Sequence, residues 1–91
     1  MTTFAISSSS KSDSLNVKLK ELFGEENFYQ VDDVLRIIIS EKDVTAGDVF
    51  KKITEGKEIN DEYGRYVIFS VTSYFGYHDV NLWNWMKAKG V

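Results

Sequence analysis

The chain has 91 residues, 43% of them hydrophobic, 14% aromatic and 27% charged, which is the size and composition of one folded domain rather than a disordered chain. With no cysteine and a single histidine, disulfide staples, cysteine nucleophiles, cysteine zinc sites and multi-histidine metal centres are excluded. A net charge of −3 and a pI near 5.0 argue against a broad basic surface for nucleic acid.

Thr2-Thr3-Phe4-Ala5-Ile6 alternates polar and apolar residues, and its Phe and Ile favour strands. The polar run Ser7-Ser-Ser-Ser-Lys-Ser-Asp-Ser14 follows and has nothing to bury. Residues 1–14 are therefore expected to be a flexible N-terminal tail ahead of one globular domain, 15–91. The other reading makes residues 2–6 an arm that adds a strand to a sheet edge. The first six residues lack the basic start and apolar stretch of an export signal, and no apolar run approaches the ~20 residues that span a bilayer. The expectation is a cytoplasmic protein without a membrane partner.

From Ser14 the pattern turns helical. Leu15, Leu19, Leu22 and Phe23 share one face, Ser14 can cap the start and Gly24 stands at the end. Residues 28–42 fit two patterns. Val31, Val34, Leu35 and Ile38 match a helical stripe, with Asp32 and Asp33 in its first turn. Alternatively, residues 28–31 and 34–40 form a hairpin around Asp32-Asp33, which the β-branched run supports. The helix is preferred, because Asp-Asp is a poor two-residue hairpin turn.

Thr45 with Asp48 three residues later marks a capping box, and Val49, Phe50 and Ile53 supply a helix face that ends at Gly56. Residues 57–60 and 65–75 read as a hairpin turned at Gly64. Its long strand places Val67, Phe69 and Val71 on one face and Tyr66, Ile68 and Tyr74 on the other. Because that strand is far longer than its partner, part of its edge needs another neighbour. Residues 2–6, residues 28–31 or a second copy of the chain could supply it. A last helix starts at Asp79 and ends at Gly90. The expected architecture is α+β: three N-terminal and central helices, an antiparallel hairpin or small sheet, and a C-terminal helix. The expected core is Leu19, Leu22, Leu35, Ile38, Phe50, Ile53, Val67, Phe69 and Trp85.

No catalytic motif appears, so no catalytic residue, metal or cofactor is expected. His78 is the only side chain that ordinarily titrates near neutrality, and it precedes a helix cap. Carboxylate pairs adjacent in sequence point apart and make no acid–base dyad. Two features stand out. Glu21, Glu25, Glu26, Asp32 and Asp33 form an acidic segment without Lys or Arg, and the last third is crowded with large rings. Such rings dominate protein interfaces. The expected function is a non-catalytic, acidic protein-binding module of inhibitor, immunity or adaptor type, whose partner is another protein or a second copy in a dimer. Its partner-binding residues would be Tyr66, Tyr74, Trp83, Glu25, Glu26, Asp32 and Asp33.

An alternative rests on topology. Three helices followed by a hairpin resemble a winged helix, with residues 31–41 and 45–55 as helix-turn-helix and 60–65 as wing tip. That resemblance implies a DNA-binding regulator whose Lys51, Lys52, Lys57 and Arg65 face phosphates. Asp48 and Glu55 on the recognition helix stand against it.

Overall fold

A computed structural model describes residues 1–56, 62–74, 76 and 80–90. The elements run β1 (Thr2–Ser8), α1 (Asp13–Phe23), a 3-10 turn (Glu25–Asn27), β2 (Phe28–Gln30), β3 (Leu35–Ser40), α2 (Ala46–Thr54), β4 (Tyr66–Val71) and α3 (Val80–Ala88). The class is α+β, with a four-stranded antiparallel sheet in the order β2-β3-β1-β4. From β1 to β4 this is the split β-α-β arrangement of ferredoxin-like topology, which fixes no function.

The expected order of three helices and then a hairpin is not what forms. Residues 28–40 are the hairpin β2–β3. The Asp32 carboxylate closes its turn by accepting from the backbone N–H groups of Val34 (2.9 Å) and Leu35 (2.8 Å). Asp32 thus acts as a turn-forming Asx residue, and the loop 31–34 is longer than the two-residue turn that Asp-Asp could not make. The Val31 N–H also reaches the Leu35 carbonyl, at 2.9 Å.

The expected flexible tail is the second correction. Residues 2–8 are the strand β1, which pairs with β3 on one side and β4 on the other. Phe4 and Ile6 are 0% exposed. Two large apolar side chains on the inner face suffice, because neighbours on both sides satisfy the backbone. The polar run does not fray either, since Ser8 closes β1 and Ser12 caps α1 by accepting from the Leu15 N–H. That helix begins earlier than a Ser14 cap implies.

The helix after Thr45 forms as its capping box dictates. The Thr45 hydroxyl accepts from the Asp48 N–H (3.1 Å), and the Asp48 carboxylate accepts from the Thr45 N–H (3.1 Å) and the Val44 N–H (3.2 Å). These bonds hold the Asp48 carboxyl below its ordinary pKa.

Helices cover the two faces of the sheet unequally. On one face Leu15, Leu19 and Phe23 of α1 and Val49 and Ile53 of α2 pack against Phe4, Ile6, Phe28 and Ile38. On the other, α3 lays Leu82 and Met86 on Ile37, beside Tyr29 and Val31. Thus α3 covers the β2–β3 half, whereas Val67 and Phe69 on the β4 half stay exposed. Of the expected core, Leu19, Ile38 and Ile53 are buried and Leu22, Leu35 and Trp85 half-buried, whereas Phe50, Val67 and Phe69 are exposed. Phe50 lines an open groove at the side of α2, and for Val67 and Phe69 the parity of β4 is the reason. Tyr66 and Ile68 face the main core, so Val67 and Phe69 must face away from it. The expected strand 57–60, His78 and the Asp79 cap lie outside the described residues.

An apolar strand edge as the candidate functional site

The β1–β4 ladder determines which backbone groups of β4 point away from β1. The Ser9 N–H donates to the Arg65 carbonyl (2.9 Å), in register with the ladder pairs Ser8–Tyr66 and Ser7–Val67. Hydrogen-bonded and non-bonded pairs alternate in an antiparallel ladder. Arg65, Val67 and Phe69 therefore turn their N–H and C=O groups toward β1. Tyr66, Ile68 and Ser70 turn theirs outward, where no strand pairs with them among the described residues.

Both flanks of this edge are apolar. On the α2 side, Ala46, Gly47 and Phe50 face Tyr66, Val67 and Ile68 across an open groove of about 320 Å³. The Phe50 and Tyr66 rings lie 6.1 Å apart and tilted by 42°. On the other side Val67 is 56% and Phe69 54% exposed. Sequence 66–77 carries no charged residue, so β4 lacks the charges that commonly blunt an edge strand.

The seven partner-binding residues named from sequence do not form one surface. Tyr66 sits on the groove, half-buried; its hydroxyl is buried without a hydrogen-bond partner among the described residues, and burial raises its pKa. Trp83 is half-buried against the α3 cluster. Its ring stacks on Tyr74 at 6.1 Å and 9° between planes. These two therefore stand with α3, across the sheet from Tyr66. Glu25 and Glu26 precede β2 and Asp32 and Asp33 follow it, all exposed. They bracket the far edge of the sheet, three strand spacings or roughly 14 Å from β4. Sequence reading missed Phe50, Val67 and Phe69 as surface residues by assigning them to the core. The signal was present: once Tyr66 and Ile68 are taken as the inner face, period-two alternation exposes Val67 and Phe69.

The basic residues of the DNA-binding alternative also scatter. Lys51 and Arg65 are exposed, Lys52 is paired with the buried Asp43 at 2.9 Å, and Lys57 lies outside the described residues. The first helix of a helix-turn-helix does not exist, because residues 35–40 are the strand β3.

One polar cluster is buried. Arg36 is 0% exposed beneath α1. Its Nε donates to Asn16 Oδ1 (2.8 Å), and its terminal nitrogens donate to Ser8 Oγ (3.0 Å), the Ile6 carbonyl (3.5 Å) and the Asp33 carbonyl (3.3 Å). All four acceptors are neutral, and burial lowers the guanidinium pKa. Four of the five guanidinium N–H donors are spent inside the protein, so the cluster is a structural tie. Among the described residues no group of three or more His, Cys, Asp or Glu is placed to hold a metal ion, and no helix is long and apolar enough to cross a membrane. No protein-family model, curated protein or solved structure matches the chain.

Proposed function

We propose that this chain is a non-catalytic protein-binding module that takes an extended segment of another polypeptide along β4, as a fifth strand of its sheet. One observation carries the reading. The outward backbone of Tyr66, Ile68 and Ser70 is bordered by apolar side chains on both faces, and β4 itself carries no charge. In strand addition the main chain supplies affinity, and pockets for alternate side chains supply selectivity. The groove between α2 and β4 would take the alternate side chains on one face, and Val67 and Phe69 those on the other. Inhibitor, immunity and adaptor proteins are the kinds of module this describes. Glu25, Glu26, Asp32 and Asp33 lie too far from β4 to touch the ligand and act as a distant negative field that affects encounter rate.

Ser70→Pro tests the reading. Ser70 is exposed, and its N–H points off the edge, so proline there deletes an outward donor without touching the β1 ladder. Segments selected from a displayed peptide library should be extended, with alternating apolar residues. Their titration should shift the amide resonances of Tyr66, Ile68 and Ser70, and Ser70→Pro should weaken binding more than about tenfold. Equal affinity for Ser70→Pro and the native chain refutes the reading.

A further inference from the structure

Resting on that reading, we infer that the segment seated on β4 is the β4 of a second copy, so that two chains join into one eight-stranded antiparallel sheet about a two-fold axis at Ile68. The geometry allows this register for a definite reason. Residues opposite each other in an antiparallel pair lie on the same face, and a two-fold axis normal to the sheet keeps each face on its own side. Residue numbers of opposed partners must then sum to an even number, or the exposed stripe of one copy meets the inner face of the other.

With Ile68 opposite Ile68 of the second copy, Tyr66 meets Ser70 and Val67 meets Phe69. The outward-facing residues Tyr66, Ile68 and Ser70 become the hydrogen-bonded pairs. The exposed Val67 and Phe69 of the two copies merge into one apolar stripe. On the opposite face the two Phe50 rings flank the seam and the grooves beside them close.

Charge selects a second copy over a generic strand. The chain as a whole is negative, so copies repel least where they meet away from the cluster of acids. The acids at 25, 26, 32 and 33 bracket β2, at the far side of the sheet, while β4 is neutral. The two-fold axis also runs α2 antiparallel to its copy. The acidic first turn of one α2, with Asp48, then faces the basic last turn of the other, with Lys51. Lys51 stands one turn beyond Gly47, which lines the groove, and is exposed. Opposed helix ends of opposite charge attract. An isologous contact of this kind closes on itself and ends the assembly at two, which is how an uncharged edge avoids open-ended aggregation.

Sedimentation velocity across a concentration series reads the result directly. The native chain should sediment as a dimer. Ser70→Pro, and separately the double variant Val67→Lys/Phe69→Lys, should each raise the dimer dissociation constant more than about tenfold with unchanged far-ultraviolet circular dichroism. Lys51→Glu should weaken the dimer most at low salt. A native chain that stays monomeric throughout overturns the inference, as does a dimer indifferent to both β4 variants. Titration with the selected peptides separates the two ideas. A monomer that binds them in a Ser70→Pro-sensitive way loses the second copy and keeps strand addition. A dimer indifferent to the β4 variants, together with peptide binding indifferent to Ser70→Pro, removes both.

Discussion

Two phenylalanines on neighbouring strands provide the sharpest test of the architecture. Phe4 lies on β1 in the middle of the sheet, 0% exposed, and Phe69 lies on β4, facing away from the main core and 54% exposed. Truncation of a fully buried Phe to Ala costs about 3–5 kcal/mol, through lost transfer energy and the cavity left behind. A chain of this length has about 5–14 kcal/mol of total stability, at 0.05–0.15 per residue. Since 1 kcal/mol moves the melting temperature of a domain this size by about 4–8 °C, Phe4→Ala should lower it by roughly 12–40 °C. Phe69→Ala exposes no cavity and should cost less than about 1 kcal/mol. Calorimetry with circular dichroism on both variants supplies the measurement, and amide exchange across residues 3–7 supplies a second. Strong protection is expected there, because both edges of β1 are bonded. If Phe4→Ala melts with the native chain, or if Phe69→Ala is the more damaging of the two, the central placement of β1 and the face assignment of β4 are both wrong.

Tyr66→Phe should stabilise the chain by about 1 kcal/mol in urea unfolding, because it removes a buried hydroxyl that has no partner among the described residues; a loss of stability would show that the hydroxyl is bonded. Asn16→Leu should cost about 2–3 kcal/mol by depriving the buried Arg36 of its 2.8 Å acceptor, and adding Arg36→Met should restore part of that loss. Additive costs in this double-mutant cycle would refute the coupling. The lowered pKa of Asp48 makes a stabilising contribution that is present above its ordinary value of 3.8 and is lost as pH falls through the still lower native value. The melting-temperature gap between the native chain and Asp48→Ala should therefore be full near pH 6 and close below pH 3.8; a gap that widens in acid contradicts the capping box.

What was readable in advance was what is local. The α2 start is set by Thr45 and Asp48, three residues apart, and the helix forms where those residues direct it. The stripe at Leu15, Leu19 and Phe23 likewise identifies the face α1 buries. Residues 28–40 were ambiguous, because Val31, Val34, Leu35 and Ile38 satisfy a helical period inside a β-branched run that suits a strand. The carboxylate of Asp32, reaching two amides ahead, decides between them, and its geometry is invisible to a count of apolar positions. The role of β1 was hidden for a different reason. Nothing in Thr2–Ser8 is strongly apolar apart from Phe4, Ala5 and Ile6, and centrality is conferred by β3 and β4, which lie about thirty and sixty residues downstream. The candidate site was half legible. A strand over 65–75, longer than its expected partner, called for a further neighbour; the strand is shorter, Tyr66–Val71, and residues 2–6, one of the three candidates, pair with it. Which face of β4 meets water did not follow, since alternation separates two faces without naming the inner one.

The position of β1 sets an order of events during synthesis. Chains fold as they emerge, N-terminal parts first, yet here the strand that emerges first occupies the middle of the sheet and cannot be seated until β3 and then β4 have left the ribosome. Until then Phe4 and Ile6 have neither of their sheet neighbours. The serines and threonines around them are what make that wait tolerable: a central strand built of Val and Ile throughout, exposed for the same interval, would be a template for association between nascent chains. The polar composition that disguises β1 as a tail is thus suited to a strand that is made first and placed last.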